Sequence, residues 1–195
     1  MTEEFLALRE QAKGRRNPTV ADDTLAYLLA LAEKVGARRI LEIGTAEGLT
    51  AAAFAMTLPD AEVTTVEIDE ERHSEAEKNI RRFGLEARVT AVLGDAADIL
   101  PTLAGEFDLI FLDGPKAQYL NYLPEMRRLL RTGGVLAADD VLLFGWVDGS
   151  VPCPPKRRSI AGKLRGYLDA VRNSPDWRTE IVRTGEGLAV SVKLG

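Results

Sequence analysis

The sequence predicts an α/β fold, a mostly parallel, Rossmann-like sheet with helices on both faces. Three observations predict it. Short apolar runs alternate with helical stretches through most of the chain. Successive runs end at a glycine or an acid. The last two runs are joined through "GE" and read as a hairpin. Alternating strands and helices imply crossover connections, and therefore a sheet buried on both sides.

The elements follow in order. The residues up to about Arg16 form a short amphipathic helix, and a turn at Asn17-Pro18 leads to a second helix over about Asp22–Val35. "RRILEIG" is the first strand, and the Ala-rich "LTAAAFAMTL" is a helix. "EVTTVEID" is a strand, followed by the charged helix "EERHSEAEKNIRRFG", which Gly84 stops. "RVTAVLGD" is a strand and "AADILPTL" a short helix. "FDLIFLDG" is a strand and "QYLNYLPEMRRLL" a helix with a bend expected at Pro124. "GVLAADDVLL" is the fifth strand, a Gly- and Pro-rich loop follows, and a helix is expected near Ser159–Asn173. "WRTEIVRT" and "GLAVSVKL" make the hairpin. The 195 residues are expected to form one domain, with a helical segment at 1–35 and an active-site loop at 145–158.

Composition excludes several classes. The net charge of -5 gives no global attraction to nucleic acid or membrane. Cys153 is the only cysteine, so neither a disulfide framework nor a Cys-based zinc site is available. No apolar run is long enough to span a bilayer, and the charged N-terminus does not resemble a signal peptide. The expectation is a soluble, cytoplasmic protein without a membrane partner.

In open parallel sheets, ligands bind beyond the carboxyl ends of the strands. Acids gather there: Glu42 in the first strand, Glu67 and Asp69 at the end of the second, Asp95 after the third, Asp113 after the fourth, and Asp139 and Asp140 in the fifth. A single such acid is readily a helix cap; acids on five successive strands call for a ligand. The first turn, "EIGTAEG", has Gly44 and Gly48 but lacks the pattern of a phosphate-cradling loop. Glu67 lies 23 residues past Gly44 (67 minus 44), the spacing of an acid that accepts from ribose hydroxyls. An acid-lined wall suits a cationic nucleoside without phosphate, and S-adenosylmethionine (SAM) is such a molecule.

Taken together, "LEIGTAEG", "VTTVEID", "VLGDA", "FLDGPK" and "GGVLAADDVL" resemble the successive motifs of the catechol and caffeoyl-CoA type O-methyltransferases, from about Asn17 to the C-terminus. The resemblance implies a seven-stranded sheet with the last strand antiparallel, SAM as cofactor, and a homodimer. It implies that Glu42 and Gly44 meet the methionine moiety, that Glu67 meets the ribose, and that Asp95 and Ala96 lie beside the adenine. Val20, Thr45, Gly48, Thr50, Ile68 and Asp113 complete the implied cofactor set. Asp113, Asp139 and Asp140 fall on the metal ligands and Lys116 on the catalytic lysine. The third ligand is usually asparagine in the family; Asp140 adds a negative charge here.

Adjacent carboxylates at an apolar strand repel each other and resist desolvation. A divalent cation, magnesium or a similar ion, would neutralise them, and oxygen-only ligands suit such a hard metal. The implied chemistry is methyl transfer to a hydroxyl with an adjacent oxygen. Lys116 serves as base, provided that nearby positive charge and burial lower its pKa.

The acceptor divides the reading. Lys156, Arg157, Arg158, Lys163 and Arg165 follow the metal strand, and Lys13, Arg15 and Arg16 precede the core. They form either a solvated basic face or a phosphate-binding groove. "GPKAQY" and "TGEGLAVSVK" also resemble a bacterial branch that methylates 5-hydroxyuridine in the tRNA anticodon loop. The alternatives are a catechol-like small molecule, a tRNA anticodon loop, and a cofactor-binding protein without catalysis. Trp146 is a candidate wall of the acceptor pocket, and His73 is expected on a solvated helix face.

Overall fold

The structure, a computed structural model, describes residues 1–14 and 19–195, so Arg15, Arg16 and the turn expected at Asn17-Pro18 lie outside the described residues. Its strands are β1 (Arg39–Ile43), β2 (Glu62–Glu67), β3 (Val89–Leu93), β4 (Phe107–Leu112), β5 (Leu130–Ala138), β6 (Trp177–Val182) and β7 (Leu188–Lys193). They form one seven-stranded sheet in the order β3-β2-β1-β4-β5-β7-β6. Neighbours from β3 to β5 pair in parallel, and β7 runs antiparallel between β5 and β6. The α/β fold with an antiparallel last strand is therefore as the sequence predicts.

The helices are α1 (Glu3–Lys13), α2 (Asp22–Lys34), α3 (Leu49–Thr57), α4 (Glu70–Arg82), α5 (Ala96–Ile99), α6 (Tyr119–Leu129) and α7 (Arg158–Asn173). None is long and apolar enough to cross a membrane among the described residues. Alternate side chains of each central strand enter different cores. Ile40, Leu109, Phe111, Val135 and Ala137 pack with α1, α2 and α3. Leu41, Ile110, Leu112, Leu136 and Ala138 pack with α6 and α7. Burial on both faces explains why these strands read as unbroken apolar runs. Phe111 is 1% exposed, and its truncation to alanine should cost ~3–5 kcal/mol.

Local chemistry sets the helix ends. The Asp69 carboxylate accepts from Arg72 N at 3.0 Å, Glu70 and Glu71 occupy the first turn of α4, and Arg81 and Arg82 its last. The Ala-rich α3 is buried from Leu49 to Ala55, so small side chains let it press close to the sheet. The α6 helix continues through Pro124.

Three expectations are corrected. The fifth strand ends at Ala138, so Asp139 and Asp140 lie just past it. Asp140, Leu143 and Phe144 have φ of 56°, 45° and 59°, which no strand accommodates. Val141 is nonetheless fully buried, and a buried turn and a buried strand look alike in an apolar run. The loop expected at 145–158 closes earlier, because Pro155–Arg157 form a 3-10 turn and α7 begins at Arg158. His73 is half-buried, with Nε2 at 3.2 Å from the Ala91 carbonyl oxygen.

Candidate active site

The chain leaves β1 toward β2 and leaves β4 toward β5, so β1 and β4, adjacent in the sheet, feed opposite sides. A crevice opens at the carboxyl ends of such a pair. Gly44 stands in it with φ +99°, and a Cβ there would meet the Asp113 carbonyl oxygen at 2.6 Å. Only glycine lets the two strand ends approach this closely. Ladder-like bonds continue past the strands: Asp113 N donates to the Ile43 carbonyl at 2.9 Å, and Asp139 N to that of Leu112 at 3.0 Å. The buried Tyr119 hydroxyl lies 2.9 Å from the Leu112 carbonyl and 3.1 Å from that of Asp139, tying the ends of β4 and β5 together.

The crevice widens into a cavity of about 1050 Å³. Val20, Gly44, Glu67, Ile68, Asp95, Ala96, Asp113, Lys116, Asp139 and Asp140 all line it. Thr45 and Thr50 line a small adjoining recess together with Val20, Gly44 and Asp113. Glu42 and Gly48 reach neither wall. Gly48 caps α3 at φ +74°, and a Cβ there would meet that of Ala76 at 3.0 Å. Glu42 is fully buried, and the Thr65 hydroxyl donates to its Oε2 at 2.6 Å. Thr65 Oγ1 is in turn 2.6 Å from the hydroxyl of Thr45. Glu42 thus reaches the recess through two hydroxyls and not by contact.

Glu67 is 4% exposed. Its Oε2 accepts from Ala46 N at 2.8 Å, and its Oε1 from Ile68 N at 3.1 Å and Asp69 N at 3.0 Å. The same carboxylate therefore holds Ala46, a non-glycine residue at φ +47°, in its left-handed conformation. Asp95 caps α5 by accepting from Ala97 N at 2.8 Å, and it also lines the cavity, so its cap and site roles coexist.

Lys116 bridges the acid cluster. Its Nζ lies 2.5 Å from Asp113 Oδ1 and 3.0 Å from Asp140 Oδ2. Burial pushes the Asp139 carboxyl up to about 7, and the charges of Asp113 and Asp140 add to it. Burial also raises Asp113, against the pull of Lys116. Burial alone would lower Lys116, but its electrostatic surroundings, Tyr119 first and then Asp113 and Asp140, hold it well above the ordinary lysine value. This reverses the depressed pKa expected of a base: as it stands, Lys116 is an ammonium. Among the described residues no three His, Cys, Asp or Glu side chains stand close enough to hold a metal ion. The lysine ammonium lies between two of the three expected ligands.

The basic residues behave differently from the expectation of a groove. Arg165 donates to the Val147 carbonyl at 2.9 Å and the Trp146 carbonyl at 2.7 Å, so its guanidinium braces a turn. Lys13 pairs with Glu10 and Asp22. Lys156, Arg157 and Arg158 are exposed but do not line the cavity. The expected active-site loop supplies Gly145, Asp148, Ser150 and Val151 to a separate side cavity. Trp146 lines neither, and its ring packs 5.0 Å from that of Phe144. Sequence reasoning missed Ala46, Arg72, Tyr122 and Glu186 on the main wall. The "GE" of the hairpin was legible as a turn, but nothing local showed that the turn reaches the cavity.

Comparison with known proteins places the chain in one family and matches its fold. A family model described as O-methyltransferase matches residues 4–194. A catechol O-methyltransferase from Mycobacterium tuberculosis is 39% identical over 123 residues, covering 62% of this chain and 56% of that protein. The chain thus spans little more than half the length of that relative. The O-methyltransferase TomG from Streptomyces achromogenes, involved in tomaymycin synthesis and solved in complex with SAM, superposes with a TM-score of 0.88 at 28% identity, covering 100% of this chain and 92% of that one. An O-methyltransferase from Bacillus cereus, solved in complex with S-adenosylhomocysteine, gives 0.84 at 28% identity, covering 98% and 89%.

Proposed function

The chain belongs to the O-methyltransferase family, and from that premise we propose that it transfers the methyl group of SAM to a hydroxyl of a small acceptor bearing a neighbouring oxygen, as a catechol does. One observation carries the proposal: Lys116, Asp113, Asp139 and Asp140 share the wall of a cavity with Glu67 and Gly44. At about 1050 Å³ the cavity has room for a nucleoside cofactor and a second small molecule.

Glu67 accepts from the ribose hydroxyls of SAM, and Asp95 and Ala96 border the adenine. A divalent cation fits the acid cluster by its chemistry. The donors are all oxygens, two of the carboxylates already answer to one ammonium, and burial, with the charges of Asp113 and Asp140 added, pushes Asp139 up to about 7, so the cluster carries charge that such an ion would neutralise. Asp113, Asp139 and Asp140 would hold the ion, which when bound lowers the pKa of an acceptor hydroxyl. As an ammonium Lys116 has no lone pair; it would first release a proton to solvent, which an ion taking its place beside Asp113 and Asp140 would favour, and the neutral amine could then accept the hydroxyl proton, whereas while charged it stabilises a developing oxyanion. The oxygen then attacks the methyl carbon as the carbon–sulfur bond breaks, releasing S-adenosylhomocysteine. Positioning supplies most of the remaining acceleration.

Little in the site favours the anticodon-loop acceptor: Lys13 lines the cavity but is paired with Glu10 and Asp22, and Lys156, Arg157, Arg158, Lys163 and Arg165 do not line it. A homodimer and a cytoplasmic location belong to the same proposal; the free thiol of Cys153 is in keeping with a reducing compartment, and sedimentation tests the dimer. The deciding experiment incubates the protein with labelled SAM, a divalent ion, and either a catechol panel or tRNA bearing 5-hydroxyuridine. Label in a catechol supports the proposal. Label only in tRNA, or no SAM binding at millimolar concentration, rejects it.

A further inference from the structure

The α1 helix buries a cation whose bonds, among the described residues, go to one stretch of chain. Arg9 is 3% exposed. It donates to Thr19 Oγ1 at 3.0 Å through Nη1, and to the Val20 carbonyl and Asp22 Oδ1, each at 2.8 Å, through Nη2. Thr19, Val20 and Asp22 line the main cavity, and Thr19 and Val20 also line the recess beside Gly44 and Thr45.

Apolar packing also docks α1. Phe5, Leu8 and Ala12 bury its apolar face, and the Phe5 ring meets that of Phe83 edge-on at 5.6 Å. A buried guanidinium is costly unless its donors are satisfied, and among the described residues this one is satisfied by the segment that walls the cavity. The same segment is held from its far side. Thr24 Oγ1 lies 3.2 Å from Thr184 Oγ1, and Gly185 N donates to Asp23 Oδ2 at 3.3 Å. Gly185 also lines the cavity.

We propose that Arg9 is a positioning residue of the cofactor site. It fixes the Val20 carbonyl and the Thr19 side chain, and so sets the distance between the 19–22 wall and the glycine turn at Gly44. It touches no cofactor itself. The role rests on the reading of the cavity as a SAM site, and it predicts an effect on cofactor binding in excess of any effect on folding.

The test measures SAM affinity by calorimetry, and the KM for SAM against kcat, for the full chain, Arg9→Ala, Arg9→Lys and Phe5→Leu. Arg9→Ala should weaken SAM binding about tenfold, the worth of a hydrogen bond to a charged group, and raise KM while kcat at saturation changes about twofold at most. Arg9→Lys should recover part of the loss, because an ammonium still reaches some of the three acceptors. Phe5→Leu should lower Tm, yet leave SAM affinity unchanged. Should Arg9→Ala not fold, Arg9→Lys carries the test, with weakened binding at a Tm no lower than that of Phe5→Leu. Wild-type affinity in the Arg9 variants overturns the role, as does a loss in Phe5→Leu that tracks its Tm. Absence of SAM binding by the unsubstituted chain removes the cofactor reading itself, and this role with it.

Discussion

Thr65 Oγ1 donates to Glu42 Oε2 at 2.6 Å, while Glu42 Oε1, equally buried, has no partner among the described residues. Burial pushes the Glu42 carboxyl up to about 8, with Asp113 and Glu67 adding to the rise and Thr65 opposing it. Between its unfolded value of 4.5 and about 8, the folded chain keeps a proton that the unfolded chain has lost. Stability therefore falls as pH rises through that window, by on the order of 4 kcal/mol from this group. Glu42→Gln should flatten the decline. Thermal denaturation from pH 5 to 8 measures it, and parallel curves for the two proteins would refute the assignment.

Gly44→Ala should destabilise the crevice. The new Cβ meets backbone, the Asp113 carbonyl, at 2.6 Å, and φ +99° is strained for any other residue. A loss of more than ~2 kcal/mol is expected, with SAM binding lost as well. Denaturant titration checks the first and calorimetry the second; a variant as stable as the parent contradicts the close approach.

Glu67→Ala should weaken SAM binding and also loosen the Ala46 turn, because three backbone N–H groups lose their acceptor. A stability loss of ~1–3 kcal/mol is expected. Glu67→Gln should keep much of the stability, since its amide oxygen still accepts, but bind SAM less well. If Glu67→Ala binds SAM with full affinity, the ribose role is wrong.

Catechol methylation should vanish with excess chelator and return with a divalent ion. Asp139→Ala should lower turnover by at least about a hundredfold, ~2.7 kcal/mol in activation free energy, with SAM affinity kept. Full turnover in chelator would show that the acid cluster works without an ion.

Lys116→Met should reduce kcat by roughly 10²–10⁴-fold, the range of general acid–base and electrostatic catalysis, with little change in SAM affinity. Asp140 is one of the charges that raise Lys116, so Asp140→Asn should lower the lysine pKa and move the matching limb of the pH–rate profile to lower pH. Intact turnover in Lys116→Met returns the residue to a purely structural role.

Several features of this protein were decided by its sequence alone. Period and punctuation specify the α/β alternation, because apolar runs bounded by caps and glycines have few other ways to bury themselves. The acids at strand ends were legible for the same reason: strand order along the chain predicts which residues reach the binding edge. Tertiary structure decided the rest. Glu42 and Asp139 are both acids at the carboxyl ends of strands, yet Glu42 lies beneath the wall and Asp139 on it, because Glu42 sits inside β1 level with Ala137, whereas Asp139 stands two residues further on, past the end of β5. Whether "VLLF" after Asp140 is strand or turn depended on the hairpin turn before β7, where the Gly187 carbonyl accepts from Val141 N at 2.9 Å. The charge state of Lys116 could not be read from its spacing to Asp113 alone, since Tyr119 and Asp140 also raise it, and only folding brings Asp140 to 3.0 Å. Nothing in the sequence singles out Arg9 among the charges of an amphipathic helix. Its burial and its bonds to residues 10 to 13 positions further along are long-range outcomes that no periodicity encodes.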